Sequence, residues 1–411
     1  MIRFEIKKIF SKNSNKIALA VLAVILAVIC IMTLRSPEIW YVNDSGDTEK
    51  GVTAAHKLRD AKGEWEGLLT EERLSQAIAE LNRVNASPEA KSEDIRQNDI
   101  AFGQTQGLTD IRDMLNESFR GFGQYDYYIA DSLTEKDAAD FYSNRADALS
   151  EWLYEGAGAS LYANDEKEYI KKQYDDIKTP FDYECADGWK MLIQSSPMIL
   201  MLMAFVIIFL SSGVFPGEYT LRADPVLFAS RYGRDKAVRS KIWAGVIMVS
   251  VIYAAVMLIY TVSLLMLLGA GGGGSPLQTS FGMWTSMYNI SISEAYALII
   301  ICGYIGILFI SMLAMFISVK TRSAVIAAVI PFAVMFLPLY IPDGSPGIVK
   351  KIFALMPDQT LQVSLAVGKF TVYGIGDVMT GAVNILPVLY VILICICIPL
   401  IYFSYRKIPV K

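Results

Sequence analysis

Residues 218–241 read EYTLRADPVLFASRYGRDKAVRSK, with six Lys or Arg and three acids between two long stretches that carry no charge. Glu218 stands at the edge of one uncharged stretch and Lys241 enters the next, while Arg231, Arg234, Lys236 and Arg239 could meet acidic residues on a partner. Val226, Leu227 and Phe228 follow Asp224-Pro225, where Pro suits the first turn of a helix, and form an apolar knob. Tyr232-Gly233 suits a turn, since glycine tolerates positive φ. This is recognition chemistry, and groups for bond-making do not assemble elsewhere. His56 is the only histidine. Of the five cysteines, Cys30, Cys302, Cys395 and Cys397 lie in apolar stretches, where Cys acts as a small hydrophobe. Only Cys185 lies outside them, so no disulfide framework is expected. Zinc spacing is absent, and no G-x-x-x-x-G-K-[ST] occurs: the one Gly-Lys step, Gly368-Lys369, precedes Phe370. The chain is expected to be no enzyme and to hold no cofactor, metal or nucleic acid.

The elements that must position 218–241 are membrane spans. The chain has 411 residues, 54% hydrophobic and 19% charged, against roughly 25% charged in soluble domains. Residues 191–217 and 242–293 contain no charge. About 20 apolar residues cross hydrocarbon as a helix, and backbone groups unpaired in lipid are too costly for anything less regular. The sequence predicts an all-α integral membrane protein with six spans: Ile17–Leu34, Met191–Phe215, Ile242–Gly269, Ala295–Val319, Ser323–Ile341 and Ile385–Tyr405. No small-x-small cleavage site follows the first, which therefore reads as an uncleaved anchor. These spans contain no ionisable side chain, which argues against a proton- or sodium-coupled carrier.

Charge sets the orientation. Residues 1–16, 218–241, 320–322 and 405–411 together hold 16 Lys or Arg against 4 acids, while 36–189 hold 16 against 33. The positive-inside rule places both termini and the 218–241 connector in the cytoplasm of a multi-pass cell-membrane protein. Residues 1–16 form an amphipathic interfacial helix, with Phe4, Ile6, Ile9 and Phe10 towards lipid and Lys7, Lys8 and Lys12 towards headgroups.

Residues 35–189 are long enough for a core of their own and form a mostly helical extracellular domain. Thr70 opens a helix with Leu74, Ile78 and Leu81 on one face. Ser87-Pro88 looks like a cap followed by Pro at the first turn. Thr134 with Asp137 resembles a capping box, ahead of Phe141, Leu149 and Leu153. Asn164 could cap a last helix that leads towards the second span. The acidity reads as solubility. Gly269–Gly274 reads as a flexible linker, Glu294 as a carboxylate favouring its helix dipole, and 342–384 as an extracellular re-entrant region.

Glu218, then Ala229-Ser230-Arg231-Tyr232-Gly233-Arg234, then Lys241 resemble the corresponding residues of type-2 ABC exporter permeases, the type V exporter fold. The resemblance covers residues 1–35 and 190–411. The large insertion after the first span looks like that of a subgroup of Gram-positive permeases. The resemblance implies a short coupling helix after the second span and paired permease chains. It also implies separate cytoplasmic ABC ATPase subunits carrying ATP and Mg²⁺. Cargo would be a peptide, antimicrobial or lipid-like amphiphile. A competing expectation is a non-transporting membrane sensor or assembly scaffold whose external domain binds a ligand or envelope partner.

Overall fold

The computed structural model describes residues 1–124, 126–220, 233–280, 282–340 and 347–407. Five helices are long and apolar enough to cross a membrane, as expected of a multi-pass membrane protein: α2 (Asn13–Thr33), α9 (Asp187–Ser212), α11 (Lys236–Leu268), α12 (Ile292–Thr321) and α16 (Ala382–Arg406). The expected fifth span, Ser323–Ile341, is instead a 13-residue helix, α13 (Ala324–Phe336), followed by a 3₁₀ turn at Leu337–Tyr340. At 1.5 Å per residue such a helix is about 20 Å long, short of hydrocarbon about 30 Å thick.

α12 lies at the centre, packed against α9, α11, α13 and α16. Between like-apolar helices, close packing and side-chain hydrogen bonds replace the hydrophobic drive. Tyr253 Oη donates to the Ile300 carbonyl at 2.6 Å, and Ser250 pairs with Tyr304 at 2.8 Å. Thr261 pairs with Tyr296 at 2.6 Å. Ser211 of α9 meets Ser311 of α12 at 2.7 Å, so the end of α9 lies against the second half of α12. Pro197, Pro387 and Pro399 sit inside helices that continue past them.

The inserted domain is mostly helical, as expected: α3 (Val52–Gly63), α4 (Glu71–Asn85), α5 (Ile95–Thr105), α6 (Thr109–Phe119), α7 (Phe141–Tyr154) and α8 (Asn164–Asp175). Thr70 caps α4 by accepting the Arg73 N–H. The Thr134–Asp137 box exists, but opens a 3₁₀ segment, Glu135–Asp140, ahead of α7. Ser87-Pro88 forms a turn with no helix after it. A two-stranded ladder, β3 (Gly67–Leu68) with β4 (Asp182–Tyr183), separates α8 from α9. β1 (Tyr41–Val42) pairs with β2 (Thr48–Glu49) in the same way.

The domain's core is not confined to the insertion. Leu69, Leu74, Ile78, Leu81, Phe141 and Phe181 are fully buried together with Trp284, Met287, Phe370 and Val372 from later loops. Trp284 packs 5.1 Å from Phe141 and 5.8 Å from Phe181, ring to ring. A short helix, α15 (Val363–Ala366), and a hairpin, β5 (Val372–Ile375) with β6 (Val378–Gly381), precede α16. α14 (Gly347–Phe353) carries Lys351, which pairs with Glu166 of α8.

One expectation changes here. Gly269–Gly274 is a packed turn, not a flexible linker. A Cβ at Gly272 would lie 2.6 Å from the Cys185 carbonyl, and one at Gly273 would lie 2.9 Å from the Trp189 ring. The bundle also gains a carboxyl that the spans themselves lack, supplied by region 342–384. The turn Pro357–Thr360 lies against Gly306, the middle of α12, where a Cβ would meet Thr360. This turn carries the buried Asp358, whose Oδ2 accepts from Gln359 and Gln362.

Candidate coupling site

α1 (Ile2–Ser11) packs along α11, with Ile9 buried and Ile6 and Phe10 against the same cluster. Lys12 is extended and breaks the helix before α2, and Asn15 Nδ2 donates across the break to the Ile9 carbonyl at 2.8 Å. Glu5 lies four residues before Ile9 and so shares its face. There it meets Lys241, a fully buried lysine in the second turn of α11. Lys241 Nζ lies 2.9 Å from Glu5 Oε2 and 2.7 Å from Glu218 Oε1, and donates to the Val214 carbonyl at 3.3 Å.

Glu218, on the short helix α10 (Pro216–Thr220), receives two further groups. Lys8 Nζ stands 3.5 Å from its Oε1, and Tyr405 Oη of α16 donates to its Oε2 at 3.2 Å. Phe215 closes the cluster, 5.4 Å from the Tyr405 ring and 5.7 Å from the Lys241 ammonium. Two carboxylates and two ammonium groups balance. Burying such ions costs several kcal/mol each unless they are paired, and here each is.

The structure thus brings Glu218 and Lys241 together across the connector. Gly233 and Arg234 form, with Asp235, the turn that leads into α11. Val226, Leu227, Phe228, Arg231 and Tyr232 lie outside the described residues. The connector is shorter than expected, because Lys236–Lys241 already belong to α11. Lys8 and Lys12 were expected to face headgroups. Lys8 instead pairs with Glu218, and Lys12 donates to the Gly213 carbonyl at 3.3 Å. Sequence reasoning missed Glu5, Lys8 and Tyr405 as members of the site. Glu5 had a signal: it is the only acid in residues 1–16.

A second cluster stands at the opposite end of α9. Lys62 of α3 is buried between Asp187 Oδ1 at 2.7 Å and Asp110 Oδ2 at 3.2 Å. Lys190 reaches Asp110 Oδ1 at 2.7 Å, and Tyr183 Oη donates to Asp110 Oδ2 at 2.8 Å. Burial works against ionisation of Asp110, but Lys190 and Lys62 outweigh it and hold the carboxyl well below the usual range. Burial likewise opposes the Lys62 charge, and Asp110 and Asp187 more than restore it. Asp113, one turn along α6, is pushed up to about 6 by burial and by Asp110. Burial and Asp187 push the Cys185 thiol up to about 12.

The lone histidine packs between the two parts, with His56 Nε2 3.0 Å from the Leu267 carbonyl of α11. Among the described residues no group of three or more His, Cys, Asp or Glu is placed to hold a metal ion. No family model, curated protein or solved structure matches this chain.

Proposed function

We propose that this chain is the membrane-spanning permease subunit of an ATP-driven exporter. It is coupled through residues 218–241 to a separate ATPase subunit that carries ATP and Mg²⁺, and its cargo is a peptide, antimicrobial or lipid-like amphiphile. One observation carries the reading. Both flanks of the connector, Glu218 and Lys241, share a buried ionic cluster with α1 and α16. A segment clamped at both flanks moves with the ends of α9 and α11, which an energy-delivering contact requires. An apolar knob on such a base suits a groove on a soluble partner.

The proposed topology has six crossings with both termini and the connector in the cytoplasm. The charge bias supports it, and so do the contacts at the ends of the helices. α16 ends beside the connector, where Tyr402 bonds Asp235. The chain leaves α12 at Arg322 near that end, yet Lys351 pairs with Glu166 of the inserted domain. In this reading the chain passes between the two ends through α13, short as it is, as the fifth crossing. The inserted domain is then extracellular, a second permease chain completes the pathway, and a Gram-positive cell is the proposed setting.

The test is a pull-down of the native chain in mild detergent, with ATPase assay of the eluate. A stoichiometric P-loop ATPase, lost on Val226→Asp with Phe228→Asp, is expected. A preparation free of ATPase would favour the sensor or scaffold reading. The buried Lys62–Asp187 contact, which ties the inserted domain to the first turn of α9, is the observation that supports this second reading.

A further inference from the structure

A cavity of about 580 Å³ lies between the inserted domain and the adjoining ends of α2 and α9. Its size falls in the range of small-molecule sites, about 300–1,000 Å³. The Lys62, Asp110, Asp187 and Lys190 cluster lines one side. Glu38 and Trp40 enter from the stretch after α2, Asp99 and Phe102 from α5, Asp113 from α6, and Tyr127 from the turn beyond. Trp40 and Tyr127 already hold a cation against a ring face, with Lys50 3.8 Å and Arg112 4.5 Å from the ring centroids. Such faces attract positive charge through the ring quadrupole.

The charges around this cavity do not balance. Five carboxylates line it against three cations. Lys62 and Lys190 are taken up by Asp110 and Asp187, and Arg112 is paired at 3.0 Å with Asp131, which does not line the cavity. Among the described residues Glu38 accepts only from Gln194 Nε2, at 3.0 Å. Asp99 and Asp113 make no hydrogen bond or salt bridge among the described residues. An acidic exterior serves solubility on open surface, but these carboxylates line a concave site beside exposed Phe102.

We infer that this cavity binds a lipophilic cation: an ammonium, guanidinium or delocalised iminium group on a compact apolar body. The charge sits between Asp99 and Asp113, and the body lies against Trp40 and Phe102. An anion of the same shape would face uncompensated carboxylates, and a neutral molecule would leave them unpaired. The site draws on both the inserted domain and the start of α9, so its occupant touches the elements that the Lys62 cluster joins. The inference does not rest on ATP coupling.

The test uses the full chain in phosphatidylcholine nanodiscs, without nucleotide or partner. Rhodamine 6G anisotropy reports binding, with tetraphenylphosphonium and tetraphenylborate, one shape with opposite charges, as competitors. Saturable binding is expected, displaced by the phosphonium and not by the borate. Asp99→Asn with Asp113→Asn, in protein that still shows a cooperative melting transition, is expected to weaken binding about tenfold or more. Trp40→Ala, at the cavity's edge, is expected to weaken it also and serves if the double variant does not fold. Absence of saturable binding, equal displacement by the borate, or wild-type affinity in the folded variants would overturn the assignment.

Discussion

The two ends of α9 solve one problem in different ways. At each end a fully buried lysine lies between two carboxylates, with a second lysine nearby and a tyrosine hydroxyl on one acid. The Lys241 cluster is closed by Phe215 and Tyr405 and draws its acids from residues 5 and 218, remote in sequence. The Lys62 cluster lines a cavity and stands beside an uncompensated Asp113. The closed cluster suits a joint that transmits movement, because Lys241 at its centre is fully shielded from solvent. The open one suits a joint that a ligand can bias, because its charge balance is incomplete.

Much of this was legible in the sequence, for definable reasons. Uncharged runs of 25 residues or more announce helices whatever their packing, and Glu218 and Lys241 stand at the edges of two such runs, although only the fold shows that they pair. The helix start at Thr70 and the Thr134–Asp137 box could be read because a cap is a local hydrogen bond. The rest depended on contacts distant in sequence. Lys8 and Lys12 looked like part of a headgroup-facing stripe, because the packing of α1 on α11 is not a local property. Trp284 and Phe370 looked like loop residues but complete the inserted domain's core. Gly269–Gly274 looked flexible because composition does not reveal that Cys185 and Trp189 fill the space beside it. Asp358 seemed external because sequence position does not show a turn that returns to Gly306. Ser87-Pro88 carried a cap's signature with no amphipathic run to follow it.

The largest expected effect tests whether the closed cluster is the less forgiving one. Lys241→Met leaves Glu5 without its Lys241 partner and Glu218 with Lys8 at 3.5 Å and the Tyr405 hydroxyl at 3.2 Å; a loss of about 3–5 kcal/mol is expected, seen as a lower melting temperature of a chain that still folds. Lys62→Met should cost less, because Lys190 remains 2.7 Å from Asp110 and 3.9 Å from Asp187. Equal losses would erase the distinction. Next, Tyr405→Phe removes a donor from a buried carboxylate and should cost about 1–3 kcal/mol without changing the oligomeric state, measured by denaturation alongside Tyr183→Phe.

A pH titration sharpens the contrast further. Asp113 titrates at about 6 in the fold, above the ordinary carboxylate value near 3.9. Its stabilising contribution is full below about pH 4 and is lost as pH rises through about 6. Asp110 has the opposite sign, its contribution being present above about pH 4 and lost as pH falls through its depressed value. Asp110, Lys190, Lys62 and Arg112 act on Asp113. Melting temperature should therefore fall from pH 5 to pH 7, and Asp113→Asn should flatten that slope; an unchanged slope would remove Asp113 from the account. Smallest of all, His56→Ala loses one contact to the Leu267 carbonyl at a half-open seam and should shift stability by no more than about 0.5 kcal/mol.

The central claim is that the connector and the inserted domain are linked through α9. Its most direct test is hydrogen–deuterium exchange on the co-purified ATPase complex, with and without ATP and Mg²⁺. The account predicts that nucleotide changes exchange at 213–220 and 233–241, and also at 105–113 and 183–190 beyond the far end of α9. Lys241→Met should abolish the distant change while the ATPase stays bound. A complex that hydrolyses ATP with changes confined to the connector, or with the distant change intact in Lys241→Met, would contradict it.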